Sequence, residues 1–348
     1  MKKIIVILIH CIMKALFSLL IFCIVLFIYL HIHFHLKVSD DLEVYEIDQP
    51  SKDKLEEICD LRQPVIFNYD VDGLVKECNI NKLQETYGAF DVKVRNVKDY
   101  DDKNELYLPL TLNTTVDVFR KDNEERYLSE NNIDFLQETT LIKNYQYNDG
   151  FLRPSSVCNC MYDLMFSSKD TKTPLKYELN YRNYYLVTEG TVKIKLIPPK
   201  SSKYLYEIKD YDNFEFLSPV NVWNVQAQFK PDFDKLKTLD VTIRKGQIIN
   251  IPAYWWYSIH FTENSSISTF KYRTYMNNIA ILNHLVVKLL QSQNVKRETV
   301  KKNDSNTDNT DNDDNTDNTD NTDNTDNADS IFQEQKLDNE VAETTNKD

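Results

Sequence analysis

Gly246-Gln247-Ile248-Ile249-Asn250-Ile251-Pro252-Ala253-Tyr254-Trp255-Trp256-Tyr257-Ser258-Ile259 is the stretch whose reading decides the fold. A turn glycine leads into an apolar strand, Ile248 to Ile251. Pro252 breaks the ladder, and a second strand opens on two consecutive tryptophans. Two of the three Trp residues in the chain sit here side by side, a large apolar payload for one corner of a fold. Taken alone, the stretch is a core strand-turn-strand without chemistry.

Working outward, Asn183 to Gly190 and Thr191 to Pro199 repeat the design: a strand, a glycine turn and a second strand stopped by two prolines. From Met161 to Tyr275 short alternating strands separated by turn residues argue for an all-β sandwich or barrel. Upstream, Leu61 to Phe67 reads as an edge strand entered through Pro64, and Leu74 to Tyr87 as a helix ended by Gly88. Asp91 to Arg95 alternates as a strand does. Asn113 to Arg120 reads as a helix capped by Thr114 or Thr115.

These parts resemble the JmjC/cupin-like 2-oxoglutarate oxygenases, especially the asparaginyl-hydroxylase type. In that family the second metal-binding strand runs Gly-Asp, three apolar residues, Pro, any two, Trp-Trp-His. Gly246, Pro252, Trp255 and Trp256 keep this corner, and Tyr257 stands at the histidine. The strands on either side of Gly190 are similar to a family hairpin that also ends in Pro-Pro, and Pro231 to Asp234 resembles the approach to the second metal strand. The resemblance covers residues 60–275 or so. It implies an α+β, mainly β fold: a cupin-like double-stranded β-helix (jelly-roll) barrel with flanking helices, turning tightly at Gly190 and Gly246.

The resemblance also implies an iron site. Iron would be held by His-any-Asp, six and four residues before the hairpin Asn183, and by the residue after Trp-Trp. Those positions hold Tyr177, Leu179 and Tyr257, so all three ligands are absent. The lysine that would pair with the cosubstrate carboxylate is replaced by Val192, and Lys193 beside it points to the other face. No change of register rescues the site, because residues 36–259 contain no histidine. His260 alternates away from Tyr257, and Glu178 away from Tyr177 and Leu179. Ferrous iron wants imidazole and carboxylate, so neither iron nor 2-oxoglutarate is expected and no catalytic residue is assigned. Tyr177, Leu179, Asn183, Val192 and Tyr257 become positions of a degenerate pocket in which two phenols hydrogen-bond each other.

At its N-terminus the chain carries a 22-residue apolar run, 15–36, long enough to span a bilayer. Lys2, Lys3 and Lys14 precede it and Asp40, Asp41 and Glu43 follow it. The positive-inside rule then makes residues 1–14 a cytoplasmic stub, 15–36 a signal-anchor helix, and the body at 37–300 lumenal or extracellular. His31, His33 and His35 fall at the headgroup level. On that side of the membrane Cys59, Cys78, Cys158 and Cys160 are ordinary thiols or disulfides, and Asn113, Asn264 and Asn303 lie in glycosylation sequons.

Of the formal net charge of −13, −11 falls in residues 301–348, an acidic tail built on an Asp-Asn-Thr repeat with too little apolar surface to fold. The rest is nearly neutral and shows no basic face, which argues against nucleic acid as a partner. Ile279 to Gln293 has the 3–4 spacing of an amphipathic helix, for packing on its own barrel or for a homodimer interface. The expectation is a single-pass membrane protein with a catalytically inactive cupin-like domain acting as a binding or structural module. The alternatives are an oxygenase with an altered metal site, built on His260 and carboxylates, and an architectural surface or envelope component.

Overall fold

The computed structural model describes residues 2–69, 72–98 and 107–293. Helix α1 (Lys2–Leu36) is followed by β1 (Tyr45–Ile47), α2 (Lys52–Cys59), β2 (Val65–Asn68), α3 (Asp72–Glu77), α4 (Ile80–Tyr87) and β3 (Asp91–Asn96). Next come β4 (Leu108–Thr111), α5 (Leu112–Lys121), β5 (Tyr127–Ser129), α6 (Ile133–Glu138), α7 (Ile142–Asn148) and β6 (Val157–Ser167). Strands β7 (Leu175–Tyr177), β8 (Arg182–Glu189), β9 (Thr191–Ile197), β10 (Ile208–Asp210) and β11 (Glu215–Ser218) lead to the short α8 (Lys230–Phe233). The body ends with β12 (Leu239–Arg244), β13 (Gln247–Asn250), β14 (Trp256–Phe261), β15 (Ser266–Thr274), α9 (Tyr275–Ala280) and α10 (Leu282–Ser292).

The strands form two sheets, one of nine in the order β1-β2-β13-β8-β15-β6-β5-β3-β4 and one of six in the order β10-β11-β7-β14-β9-β12. The barrel implied by the resemblance does not form. Among the described residues no ladder joins the two sheets, and each ends in free edges, β1 and β4 in one, β10 and β12 in the other. Closure requires the last strand to pair with the first. Here β1, β2 and β3–β5 extend the larger sheet outward on both sides, so the fold is a mixed one of two open sheets with several helices.

Apolar side chains from both sheets meet in a common core, with Tyr185, Val187, Ile249 and Ile267 of the larger against Val192, Ile194, Tyr257 and Ile259 of the smaller. The opposite face of the larger sheet is covered by helices, through Leu55, Leu74, Leu83, Val116, Phe135 and Tyr145. A third cluster on the far face of the smaller sheet gathers Tyr177, Leu179, Phe216, Trp256 and Ile281.

The glycine turns do not close hairpins. Strands β8 and β9 on either side of Gly190 belong to different sheets, as do β12 and β13 on either side of Gly246. Each glycine is a corner at which the chain changes layer, and both adopt positive φ, +76° at Gly190 and +84° at Gly246. Pro252 ends β13 so that β14 can start in the other sheet, and both indoles are satisfied. Trp255 donates from Nε1 to the Arg62 carbonyl at 3.1 Å, and Trp256 from Nε1 to Ser202 Oγ at 2.7 Å.

Other elements depart from the sequence reading for local reasons. Strand β2 is internal, between β1 and β13, because Pro64 lies just before it and removes no ladder bond. The helix expected over Leu74 to Tyr87 is broken, since Asn79 caps α4 by accepting from the Asn81 N–H at 3.1 Å. Thr111, not Thr114 or Thr115, caps α5. All six cysteines are free, and Cys59 and Cys78 are buried beside the Tyr184 and Tyr145 hydroxyls. The Asp-Asn-Thr tail lies outside the described residues.

Residues Ile9–Leu36 of α1 are long and apolar enough to cross a membrane, and the large apolar side chains from Ile9 to Leu30 are exposed apart from the half-buried Ile28. At its end the helix meets the body. His35 Nε2 lies 3.1 Å from Thr274 Oγ1, and the Arg62 guanidinium sits 5.1 Å from the Phe34 ring centre.

A Cβ at Gly190 would collide with Ser265, whereas one at Gly246 meets nothing. Both positions carry the backbone penalty of a left-handed L-residue, about 1 to 2 kcal/mol. Gly190→Ala is therefore expected to destabilise the protein clearly more than Gly246→Ala in urea denaturation, and equal losses would show that Ser265 yields freely.

Candidate functional site

Strand β14 fixes what the two sheets enclose. It pairs antiparallel with β7 through Tyr257 opposite Lys176, and with β9 from Trp256–Ile197 to Phe261–Val192. Side chains alternate across a strand, so Tyr257 enters the common core and Trp256 the cluster on the far face. Directly paired residues share a face. Lys176 therefore accompanies Tyr257, and Tyr177 accompanies Trp256, with ring centres 4.7 Å apart.

Tyr177, Leu179 and Tyr257 consequently do not converge. Tyr177 donates to Glu207 and stacks on Phe216 at 5.0 Å, on the far face with Leu179. Burial and the neighbouring Glu207 push its phenol pKa up. The expected bond between the Tyr177 and Tyr257 phenols is absent because a shift of one residue turns every side chain to the other face. The link from Glu178 to Tyr181 is irregular, so a fixed count back from Asn183 does not hold here.

The residues that meet Tyr257 are Glu178, Tyr185 and Lys271. Tyr185 donates its hydroxyl to that of Tyr257 at 2.7 Å, and Tyr257 donates to Glu178 Oε1 at 3.2 Å. Lys271 Nζ donates to the same carboxylate oxygen at 2.8 Å. The corner itself positions Glu178, whose carbonyl accepts from the Tyr254 N–H at 2.9 Å. Burial acts to raise the Glu178 carboxyl, but Lys271 and Lys176 outweigh it and hold it below its ordinary range. Burial drives the Tyr257 phenol well above its ordinary value, with Tyr185 and Glu178 adding to the rise. It stays protonated.

A second set of charges adjoins the first. Lys176 Nζ donates to Glu130 Oε2 at 3.0 Å, and Arg95 pairs with Glu130 and, at 3.5 Å, with Glu215. Burial opposes ionisation of Glu130, yet Arg95 and Lys176 pull its pKa down to about 2. Asp163 behaves oppositely: burial raises it to about 6, although the Asn131 and Asn132 N–H groups bond it at 2.8 and 2.6 Å. Asn131, Asp163, Thr269 and Lys271 contribute to the lining of a cleft of about 740 Å³, and Thr269 Oγ1 is buried without a hydrogen-bond partner.

The remaining positions are structural. Asn183 donates from Nδ2 to the Ile251 carbonyl at 3.1 Å and so ties β8 to the end of β13. Val192 is fully buried in the core, while Lys193 is exposed. His260 lies outside the core against Asp170 at 3.3 Å. Among the described residues no group of three or more His, Cys, Asp and Glu side chains is arranged to hold a metal ion. The donors around Tyr257 do not suit one: an ammonium, a protonated phenol and a carboxylate already neutralised by lysine. Asn113 and Asn264 are exposed, and Asn303 lies outside the described residues.

Two open sheets thus enclose a polar cluster at one part of their shared core. A family model for the cupin-like domain matches residues 50–278, and the chain belongs to that family. It is also similar to HSPB1-associated protein 1 of human and of rat, 26% identical over 106 residues in each, which is 30% of this chain and 22% of those proteins. The zebrafish homolog is 23% identical over 106 residues, 30% of this chain and 24% of its own length. The match thus spans less than a quarter of these curated relatives.

Sequence reasoning missed Lys176, Lys271, Arg95 and Glu130, and set Glu178 aside by parity. One signal was available: Lys271 interrupts the otherwise uncharged Ser266–Tyr272 segment of β15. A charge there needs a partner.

The Glu130 pKa predicts an acid-sensitive fold. A depressed folded-state pKa contributes stability above its ordinary value of 4.5, and that contribution disappears as pH falls toward 2. Asp163, raised from 3.8 to about 6, acts with opposite sign and lowers stability as pH rises through that interval. Glu130→Gln, which removes the carboxylate that Lys176 pairs with and leaves Arg95 to Glu215, should cost about 3 to 5 kcal/mol at pH 7. Urea titrations at several pH values should show a larger loss between pH 4.5 and 2 in the native protein than in the variant, which keeps only the part carried by Glu178.

Proposed function

We propose that the chain is a membrane-tethered, non-catalytic cupin-like module in which internal cations stand where the resembled oxygenases hold iron. The single observation behind this reading is the Lys271–Glu178–Tyr257 cluster. Lys176-Tyr177-Glu178 has the His-any-Asp spacing, and its two outer residues share a face with Tyr257. In that register the acidic ligand survives as Glu178, both imidazoles are lost, and the Lys271 ammonium supplies the positive charge. Val192 leaves a cosubstrate carboxylate without its lysine. The cleft beside Lys271, with the unpaired Thr269 hydroxyl and Asp163 at its wall, supports binding rather than turnover.

The test uses the full-length chain in detergent with ferrous iron and 2-oxoglutarate. Substoichiometric iron and no succinate above background are expected, and stoichiometric iron or turnover would sink the reading. A gain-of-metal experiment probes the register. Lys176→His with Tyr257→His and Lys271→Met sets two imidazoles beside Glu178, and cobalt(II) should then bind with a visible absorption band. The same pair with Lys271 retained should bind more weakly.

The exposed apolar surface of Ile9–Leu36 and the lysines before it support an anchor with a cytoplasmic N-terminus and a body on the far side. In that topology Asn264, exposed in the turn between β14 and β15, is the better glycan acceptor, because the Asn113 side chain packs against Gly88. Expression of an Asn303→Gln chain in a eukaryotic cell should give a glycosidase-sensitive mobility shift that adding Asn264→Gln removes. An unshifted chain whose body is digested by protease from the cytosolic side would reverse the orientation.

A further inference from the structure

Helix α10 is mounted with its polar side toward the protein. His284 Nδ1 lies 3.1 Å from the Tyr211 hydroxyl, and Lys288 Nζ sits 4.6 Å from the Phe214 ring centre, both on the body. Of its apolar residues only Leu285 packs against the far-face cluster. Leu282, Val286, Leu289 and Leu290 are exposed, and Tyr275 and Ile279 of α9 extend the same apolar surface. A surface helix of a soluble domain turns its apolar stripe inward; this one does the reverse.

The stripe adjoins the end of α1. Helix α1 packs on α9, and His35 bonds Thr274, the residue that caps α9. Leu36 and Val38 face Ile279, Ala280 and His284 across a cleft of about 640 Å³. The chain carries 54 acidic residues, yet none falls between 272 and 293, where Arg273 and Lys288 stand.

We propose that α9 and α10 form an interfacial segment, its apolar face sunk into the leaflet from which α1 emerges on the side of the body. This rests on the reading of α1 as a membrane anchor. The surface, charge and position suit a bilayer. An interfacial helix inserts about 5 to 10 Å into the boundary between headgroups and acyl chains, a depth that exposed Leu and Val side chains on one face satisfy. A second copy of the chain is the alternative occupant, but its contact would not call for the patch to sit beside the end of an apolar helix long enough to span a bilayer. With α1 and α9–α10 both engaged, the body is held against the membrane at a fixed orientation.

The full-length chain, with Cys11→Ser, Cys23→Ser, Cys158→Ser and Cys160→Ser so that only the buried Cys59 and Cys78 remain, is reconstituted in phosphatidylcholine vesicles containing doxyl-labelled lipid. An environment-sensitive fluorophore is placed in turn at Leu26→Cys in the anchor, Leu290→Cys in α10, and Lys82→Cys on exposed α4. Loss of fluorescence at Leu290→Cys comparable with that at Leu26→Cys, and none at Lys82→Cys, is the expected result. Quenching at Leu26→Cys without quenching at Leu290→Cys overturns the interfacial segment and leaves the anchor standing. No quenching at Leu26→Cys removes the anchor itself. Unquenched Leu290→Cys that crosslinks to a second copy overturns the proposal in favour of a dimer. Val286→Glu with Leu290→Glu should also abolish insertion of α10, read by an unquenched label at Leu289→Cys.

Discussion

Tyr257 opposite Lys176 is the pair on which the interior depends. Because side chains alternate along a strand, this one contact decides the face of each residue in β7 and β14. Tyr257 and Lys176 enter the space between the sheets; Trp256 and Tyr177 leave it. Glu178 follows Lys176 by two residues and so faces Tyr257, where its carboxylate gathers Lys271 as well. The Trp-Trp corner contributes twice, since the Tyr254 N–H also holds the Glu178 carbonyl.

Charges enclosed in this way are costly unless each is matched. Glu178 has Lys271, and Glu130 has both Arg95 and Lys176. Glu130 is shared between two cations and Arg95 between two carboxylates, which ties the cluster together more tightly than any single pair would. A site built to keep its carboxylates permanently neutralised by lysine and arginine is poorly disposed to release them to a divalent ion. The phenols fit the same pattern, because burial holds Tyr257 and Tyr185 protonated as donors.

The other organised region faces α1. Trp255 donates to the Arg62 carbonyl, and the Arg62 guanidinium stacks on Phe34 and on Tyr181. The corner that orders the inter-sheet site is thereby connected to the end of the apolar helix. Helix α10 stands beside it with its apolar stripe outward, which is why its sequence alone reads as a core-packing or dimer helix.

Much of this was legible in the chain because it rests on local chemistry. Gly190 and Gly246 mark turns since only glycine takes their positive φ easily; Pro252 ends a strand since it cannot donate to a ladder. The 22-residue apolar run and the absence of histidine from 36–259 are facts of composition, and they already bear on membrane and metal. What only the tertiary structure decided is which side each element presents. Period-two alternation names two faces without saying which is inside. A turn glycine does not reveal whether the next strand pairs back or crosses to another sheet. An amphipathic stripe does not say whether it looks at protein or away from it. Those choices are made by partners distant in sequence: Lys176 for Tyr257, Lys271 for Glu178, and Tyr211 and Phe214 for α10.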